Sequence, residues 1–258
     1  MLLETAEELA QLALGVAAMY LALRLVLRLQ QSPWGDHVDR RRPAVMCLLA
    51  LVAAAVMVAE DTLKGQSGPI DTATLLWVRE HMPAALTPWF ESITFTASST
   101  VLTPLTIVAT AGLLASRQRS AALLVAGSVV CAALVVYSMK VIIGRERPAL
   151  WDVQWYWGSS FPSGHTLVVA AFATSMALVA GHLWPALRLT VLVLALAWTL
   201  LVGLSRLVLG VHWPTDVTVA ACMGMAIPLA FGLALEARKR LWENDRANVQ
   251  ANSVHGGR

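Results

Sequence analysis

Three short polar motifs hold most of the residues in this 258-residue chain that could do chemistry. Lys140 precedes Arg147-Pro148, then comes Pro162-Ser163-Gly164-His165, and Ser205-Arg206, His212 and Asp216 close the set. Three fixed cations, two histidines and a carboxylate form an inventory that can hold a phosphate and attack it without a metal. Lys140, Arg147 and Arg206 would surround the phosphoryl oxygens, Arg as a fork that matches two oxygens and Lys as a compact point charge. Their work would be to meet negative charge where it develops in the transition state. Asp216 follows His212 by four residues, a spacing that shares one face if both lie on a helix. The carboxylate could accept the Nδ1–H and leave Nε2 free to attack phosphorus. Pro162 and Ser163 read as a helix start, where Ser can cap and the first N–H groups can face an anion. Gly164 would leave room for close approach. Two histidines and an aspartate could also bind zinc, but three cations beside them would repel a divalent ion. Neither a metal nor a cofactor is expected.

The elements that must position these residues are apolar. The chain is 57% hydrophobic and 14% charged, with a mean hydropathy of +0.64. A soluble domain of this length would carry more charge, so the fold class is all-α, a polytopic transmembrane helical bundle. The apolar runs are continuous and lack the alternation of membrane strands. A span needs about 20 apolar residues, and the candidates are 9–28, 44–60, 100–116, 120–143, 164–181, 187–208 and 214–235. Three regions follow: an N-terminal hydrophobic helix with a basic linker (1–43), a six-helix core (44–236) and a basic tail expected to be disordered (237–258). The first segment reads as a seventh span, with Arg24 and Arg28 snorkelling at its end; a helix lying along the membrane is the alternative. Within 61–99, Ile70, Leu75, Leu76, Trp77, Met82, Trp89 and Phe90 suggest interfacial helices, although an ordinary extracytoplasmic loop would serve as well. Cys47, Cys131 and Cys222 lie in apolar stretches and are expected to be buried free thiols. No cleavable signal peptide is expected, because Glu4, Glu7 and Glu8 stand where a basic start would be.

Charge sets the expected orientation. Arg40-Arg41-Arg42, Arg117 with Arg119, His182 to Arg188, and Arg238-Lys239-Arg240 mark every second boundary and go to the cytoplasm. Glu60-Asp61, the 144–162 loop and the 209–213 turn go outside, and all three motifs end on that side. The formal net charge of +3 thus lies in topology signals and one candidate phosphate site, which does not read as a nucleic-acid footprint. Lys140, Arg145, Arg147 and Arg206 stand outside against the rule. Ionisable groups next to membrane helices are costly and usually functional. For Arg145, snorkelling and phosphate contact are equally open. Trp151, Trp155, Tyr156 and Trp157 read as an aromatic belt, or alternatively as a lid. His37, His81, Glu91 and His255 have no partner at a telling spacing.

In order, spacing and identity, the three motifs resemble the signature of the type 2 phosphatidic acid phosphatase superfamily, over about residues 44–236 and with no signature position substituted. The resemblance implies an integral membrane lipid phosphatase with His212, His165 and Asp216 as the catalytic set. His212 would become phosphohistidine, while His165 would protonate the leaving oxygen and later activate water. Lys140, Arg147, Ser163, Gly164 and Arg206 would bind the substrate phosphate. Similar family members act on undecaprenyl pyrophosphate, phosphatidylglycerol phosphate, phosphatidic acid, diacylglycerol pyrophosphate or lipid A, and the signature reads the phosphate rather than the tail. The substrate would be a lipid phosphate or pyrophosphate drawn from the bilayer, with no nucleic acid and no obligate protein partner. The expected location is a bacterial inner membrane with the site facing outward. A lipid phosphotransferase would use the same residues with another acceptor. A non-catalytic transporter or scaffold would be expected to lose the nucleophile or a cation, and this chain keeps them.

Overall fold

All regular structure among the described residues is helical. The computed structural model describes residues 2–151 and 158–255, with side chains over 10–151 and 158–240. Ten helices follow in order: α1 (Leu2–Leu29), α2 (Gly35–Arg40), α3 (Arg42–Leu63), α4 (Gly68–His81), α5 (Thr87–Thr96), α6 (Ser99–Ala115), α7 (Arg119–Ile143), α8 (Gly164–Leu183), α9 (Arg188–Val208) and α10 (Pro214–His255). Their lengths follow the apolar runs, and their ends follow local chemistry. Pro69, Pro88 and Pro214 sit in the first turns of α4, α5 and α10, where the missing N–H costs nothing. Gly144 ends α7 in the left-handed region at φ 65°, a conformation open to glycine.

Six of these helices are long and apolar enough to cross a membrane, or seven segments if a bent pair counts as one span. That pair, Ala84–Thr96 and Ser99–Ala115, bends by 40°. The expected span at 100–116 coincides with α6, which has 17 residues and rises about 26 Å, short of a bilayer core of about 30 Å by itself, and which is long enough to cross when taken with the preceding helix. The stretch 61–99 is mostly helical, with breaks at 64–67, 82–83 and 97–98, and turns Leu75 and Phe90 inward while Ile70, Trp77 and Trp89 are exposed. Helix α10 continues to His255, over residues expected to form a disordered basic tail. Its Leu, Ala, Glu, Arg and Lys positions are good helix formers.

The chain divides into two compact units, residues 1–50 with 230–258 and residues 51–229. In the first, Tyr20, Val38 and Val45 form a small core with Leu23, Leu27 and Leu233. Arg24 does not simply snorkel. It pairs with Asp39 at 2.6 Å, which also accepts the Tyr20 hydroxyl at 3.0 Å. Arg41 pairs with Glu236 at 2.7 Å.

In the second unit α8 is the most enclosed helix, with 56% of its apolar window buried against 28% for α7 and 33% for the segment containing α9. Ala132, Leu167, Ala171 and Ala220 pack there with Val136, Met223 and Ile227. Small residues let these helices approach closely, as membrane helices require. Large apolar side chains such as Val108, Ile142 and Leu189 remain exposed on α6, α7 and α9, the outer surface of an integral membrane protein. The three cysteines are free, but Cys47 is exposed and Cys131 and Cys222 are half-buried. The expectation of burial fails for Cys47, which the protein does not cover, and holds in part for Cys131 and for Cys222, which packs against Ala55, Phe161 and Val219.

Candidate active site

The first two motifs are stitched together through backbone groups. Lys140, in the last turn of α7, donates to the Ser159 carbonyl. Beyond the helix, the Arg145 carbonyl accepts the Ser160 N–H at 2.8 Å, and Arg147 Nε donates to the Gly158 carbonyl at 3.2 Å. Ser163 is the N-cap of α8 by position, yet its hydroxyl makes no capping bond and lies 3.0 Å from the Thr166 hydroxyl instead. Its N–H donates to the Asp216 carbonyl at 3.3 Å, which joins motif two to motif three. At Gly164 a Cβ would meet Val136 of α7 at 3.3 Å.

Arg206, in the last turn of α9, is buried and donates to the Thr94 hydroxyl of α5 at 2.7 Å. His212 lies in the turn before α10, not on the helix as the spacing suggested, and is only 2% exposed. Arg147 Nη1 reaches both the Val211 carbonyl at 2.8 Å and His212 Nε2 at 3.2 Å. A guanidinium only donates, so Nε2 must present its lone pair and the ring proton must sit on Nδ1. That Nδ1 lies 3.5 Å from Asp216 Oδ2, at the outer limit of a hydrogen bond. Burial pushes the His212 pKa down to about 4, with Arg206 and Arg147 acting in the same sense and Asp216 opposing them. His165, half-buried in the first turn of α8, is within electrostatic reach of Arg206, His212, Arg147 and Lys140. Every residue singled out from the motifs therefore converges on one place.

Asp216 has closer partners than His212. Its Oδ2 accepts the Ser160 hydroxyl and, at 2.9 Å, the Trp213 N–H, as an acidic residue three positions into a helix does at a cap. Its Oδ1 accepts Arg145 Nη1 at 2.5 Å. The other arm of Arg145 pairs with Asp71 of α4 at 2.7 Å, so this arginine neither snorkels nor stands free for a phosphate. Asp71 is fully buried and also accepts the N–H and hydroxyl of Thr215, at 3.0 and 2.7 Å. Trp151 lies against Gly210, where a Cβ would fall 2.5 Å from its ring, and Arg79 stands 5.2 Å over it. Trp155, Tyr156 and Trp157 lie outside the described residues.

A helical membrane bundle with a buried histidine among cations defines a class, and sequence comparison names it. Residues 121–240 match the model of the PAP2 superfamily, and the chain belongs to that family. It is 30% identical over 148 residues to Putative undecaprenyl-diphosphatase YbjG of Escherichia coli (strain K12), covering 54% of this chain and 70% of that one. It is 46% identical over 71 residues to phosphatidylglycerophosphatase B of the same strain, but that match spans only 27% of this chain and 26% of the relative. Among solved structures, a transmembrane PAP2 type phosphatidylglycerolphosphate phosphatase from Bacillus subtilis superposes with a TM-score of 0.62 at 25% identity, over 73% of this chain and 94% of that one.

Sequence reasoning missed Asp71, Thr94, Ser160 and Thr215. Of these only Asp71 offered a signal, as a carboxylate one position after an apolar residue in a short helix. Hydroxyls carry none, because Ser and Thr serve equally in turns and helix walls.

Proposed function

We propose that the protein is a lipid phosphatase that cleaves a phosphomonoester or pyrophosphate of a membrane lipid through a phosphohistidine, without a metal. The observation that carries this reading is the Arg147–His212 pair, a nitrogen lone pair held among cations by a donor that itself suits phosphate. In the first step the Nε2 lone pair forms the P–N bond as the P–O bond to the lipid breaks. Protonated His165 gives its proton to the departing oxygen. Lys140, Arg147 and Arg206 take the phosphoryl oxygens, joined by the Ser163 hydroxyl and by the Gly164 N–H at the start of α8. Asp216 meets the positive charge that grows on the imidazole. Water then attacks phosphorus, His165 accepts its proton, and the P–N electron pair returns to Nε2 as inorganic phosphate leaves.

Phosphatidylglycerophosphate and undecaprenyl diphosphate, the lipids in the relatives' names, are the first substrates to try. The inward and outward charge clusters support a site on the outer face of a bacterial inner membrane. The test is phosphate release from a panel of lipid phosphates and pyrophosphates by purified protein in excess EDTA, with ³²P labelling quenched in alkaline detergent alongside. Wild type should turn over and form a base-stable label, and His212→Ala should do neither. Activity lost on chelation and restored by zinc or magnesium would sink the metal-free mechanism. Label that survives His212→Ala would sink the nucleophile.

A further inference from the structure

We propose that Asp71 and Arg145 are positioning residues for this centre, holding the Asp216 carboxylate in place for His212, Asp71 from α4, which carries none of the three motifs, and Arg145 from the segment between Lys140 and Arg147. This inference rests on the phosphatase reading for its kinetics, but not for its geometry. Arg145 spans two carboxylates, with Nη1 2.5 Å from Asp216 and Nη2 2.7 Å from Asp71. Both carboxylates are fully buried, so the guanidinium between them is held by charge on two sides. Asp71 in turn grips Thr215 through backbone and side chain, one residue before Asp216. Ser67 adds a fourth donor to it at 3.2 Å. Trp213 closes the other side, with its ring centroid 5.5 Å from the Arg145 guanidinium.

A fork so engaged does not serve as a substrate cation. It fixes one carboxylate oxygen of Asp216 while Ser160 and the Trp213 N–H fix the other. The 3.5 Å gap to His212 Nδ1 is then set by a frame of anchored groups, and small movements of that frame decide which ring nitrogen keeps the proton. Lys could supply the charge of Arg145 but could not bridge both carboxylates with a planar fork.

The test compares Asp71→Asn, Arg145→Gln and Arg145→Lys with wild type by melting temperature, steady-state kinetics, orthovanadate inhibition and ring ¹⁵N shifts of His212. Misplacing the carboxylate should lower kcat by about 10²-fold in Asp71→Asn and Arg145→Gln, while KM and vanadate inhibition move by less than about threefold. The His212 nitrogens should shift from one tautomer toward a mixture, and Arg145→Lys should recover part of the loss. A rise in KM and in the vanadate constant at unchanged kcat would make Arg145 a substrate cation and overturn the proposal. So would a lower melting temperature with kcat and ¹⁵N shifts unchanged. If Asp71→Asn does not fold, Thr215→Val removes one hydroxyl of the frame without touching a charge; it should lower kcat and move the same shifts, and no change would also overturn the proposal. The nitrogen shifts need no substrate. Should wild type release phosphate from no lipid, the phosphatase reading falls, and the shifts still decide whether Asp71 and Arg145 hold His212.

Discussion

Burying His212 among arginines fixes its protonation before any phosphate arrives. Its pKa, pushed down to about 4 chiefly by burial, lies below the ordinary value of about 6.5. Between those two values the unfolded chain binds more protons than the folded one. The contribution of this group to stability is therefore complete above about pH 6.5 and is lost as pH falls toward 4. Ring-¹⁵N NMR of the detergent-solubilised protein should find His212 neutral and protonated on Nδ1 from pH 8 down to about 5; an imidazolium signal at pH 6 would contradict the geometry. Asp216→Asn keeps the size of the side chain but removes the charge that favours this tautomer. The comparable change in a serine protease triad costs about 10⁴-fold in kcat, and a loss of that order is expected here without loss of folding. His165 should separate from both by leaving group. On the proposed mechanism His165→Ala removes a proton donor worth about 10²–10⁴-fold, and the loss should then be large for a lipid alcohol and small for a nitrophenyl phosphate. Equal losses on the two would assign the acid elsewhere.

Helix packing sets the distance between those residues. His165 opens α8 and Asp216 opens α10, so the contact of these two helices determines where acid and carboxylate stand. At Gly224 that contact leaves no room: a Cβ would lie 2.5 Å from the Leu167 carbonyl and 2.6 Å from Ala170 Cβ. Gly224→Ala must push the helices apart, and overpacking of this kind costs about 1–3 kcal/mol. A melting temperature several degrees lower, with kcat falling alongside it, is the expected result; wild-type stability and rate would show that the helices yield without moving the site. The same elements mark how far the sequence could be read. Spans α3, α7, α8, α9 and α10 were legible because each is a continuous apolar run, and the motif residues were legible because charges at membrane boundaries are costly. Helix α6 was legible as an apolar run, but hydropathy alone does not locate the break at Ala97-Ser98 that separates it from α5. Asp71 stayed hidden because its partner lies 74 residues away, and no local period reports a contact at that separation. Arg145 was half-read: its place near Arg147 was visible, but the two carboxylates it joins were not.

At the scale of the whole molecule, the charge clusters predict which face is which. In a background lacking Cys47, Cys131 and Cys222, single cysteines at Ala149 and Gln118 should label oppositely with an impermeant thiol reagent in intact cells, 149 reacting and 118 not. Both positions are exposed, so accessibility within the protein does not confound the result, and the reverse pattern would turn the site toward the cytoplasm. The charge balance of the centre matters after the catalytic step as well as during it. Lys140, Arg145, Arg147 and Arg206 carry two more positive charges than Asp71 and Asp216 carry negative, and neutral His212 leaves that surplus standing. A phosphate dianion cancels it, and inorganic phosphate does so as well as a lipid headgroup does. On the proposed function, released inorganic phosphate would compete with the lipid for this centre, and the rate at which a lipid is recycled would follow the phosphate concentration on the side of the membrane that the site faces.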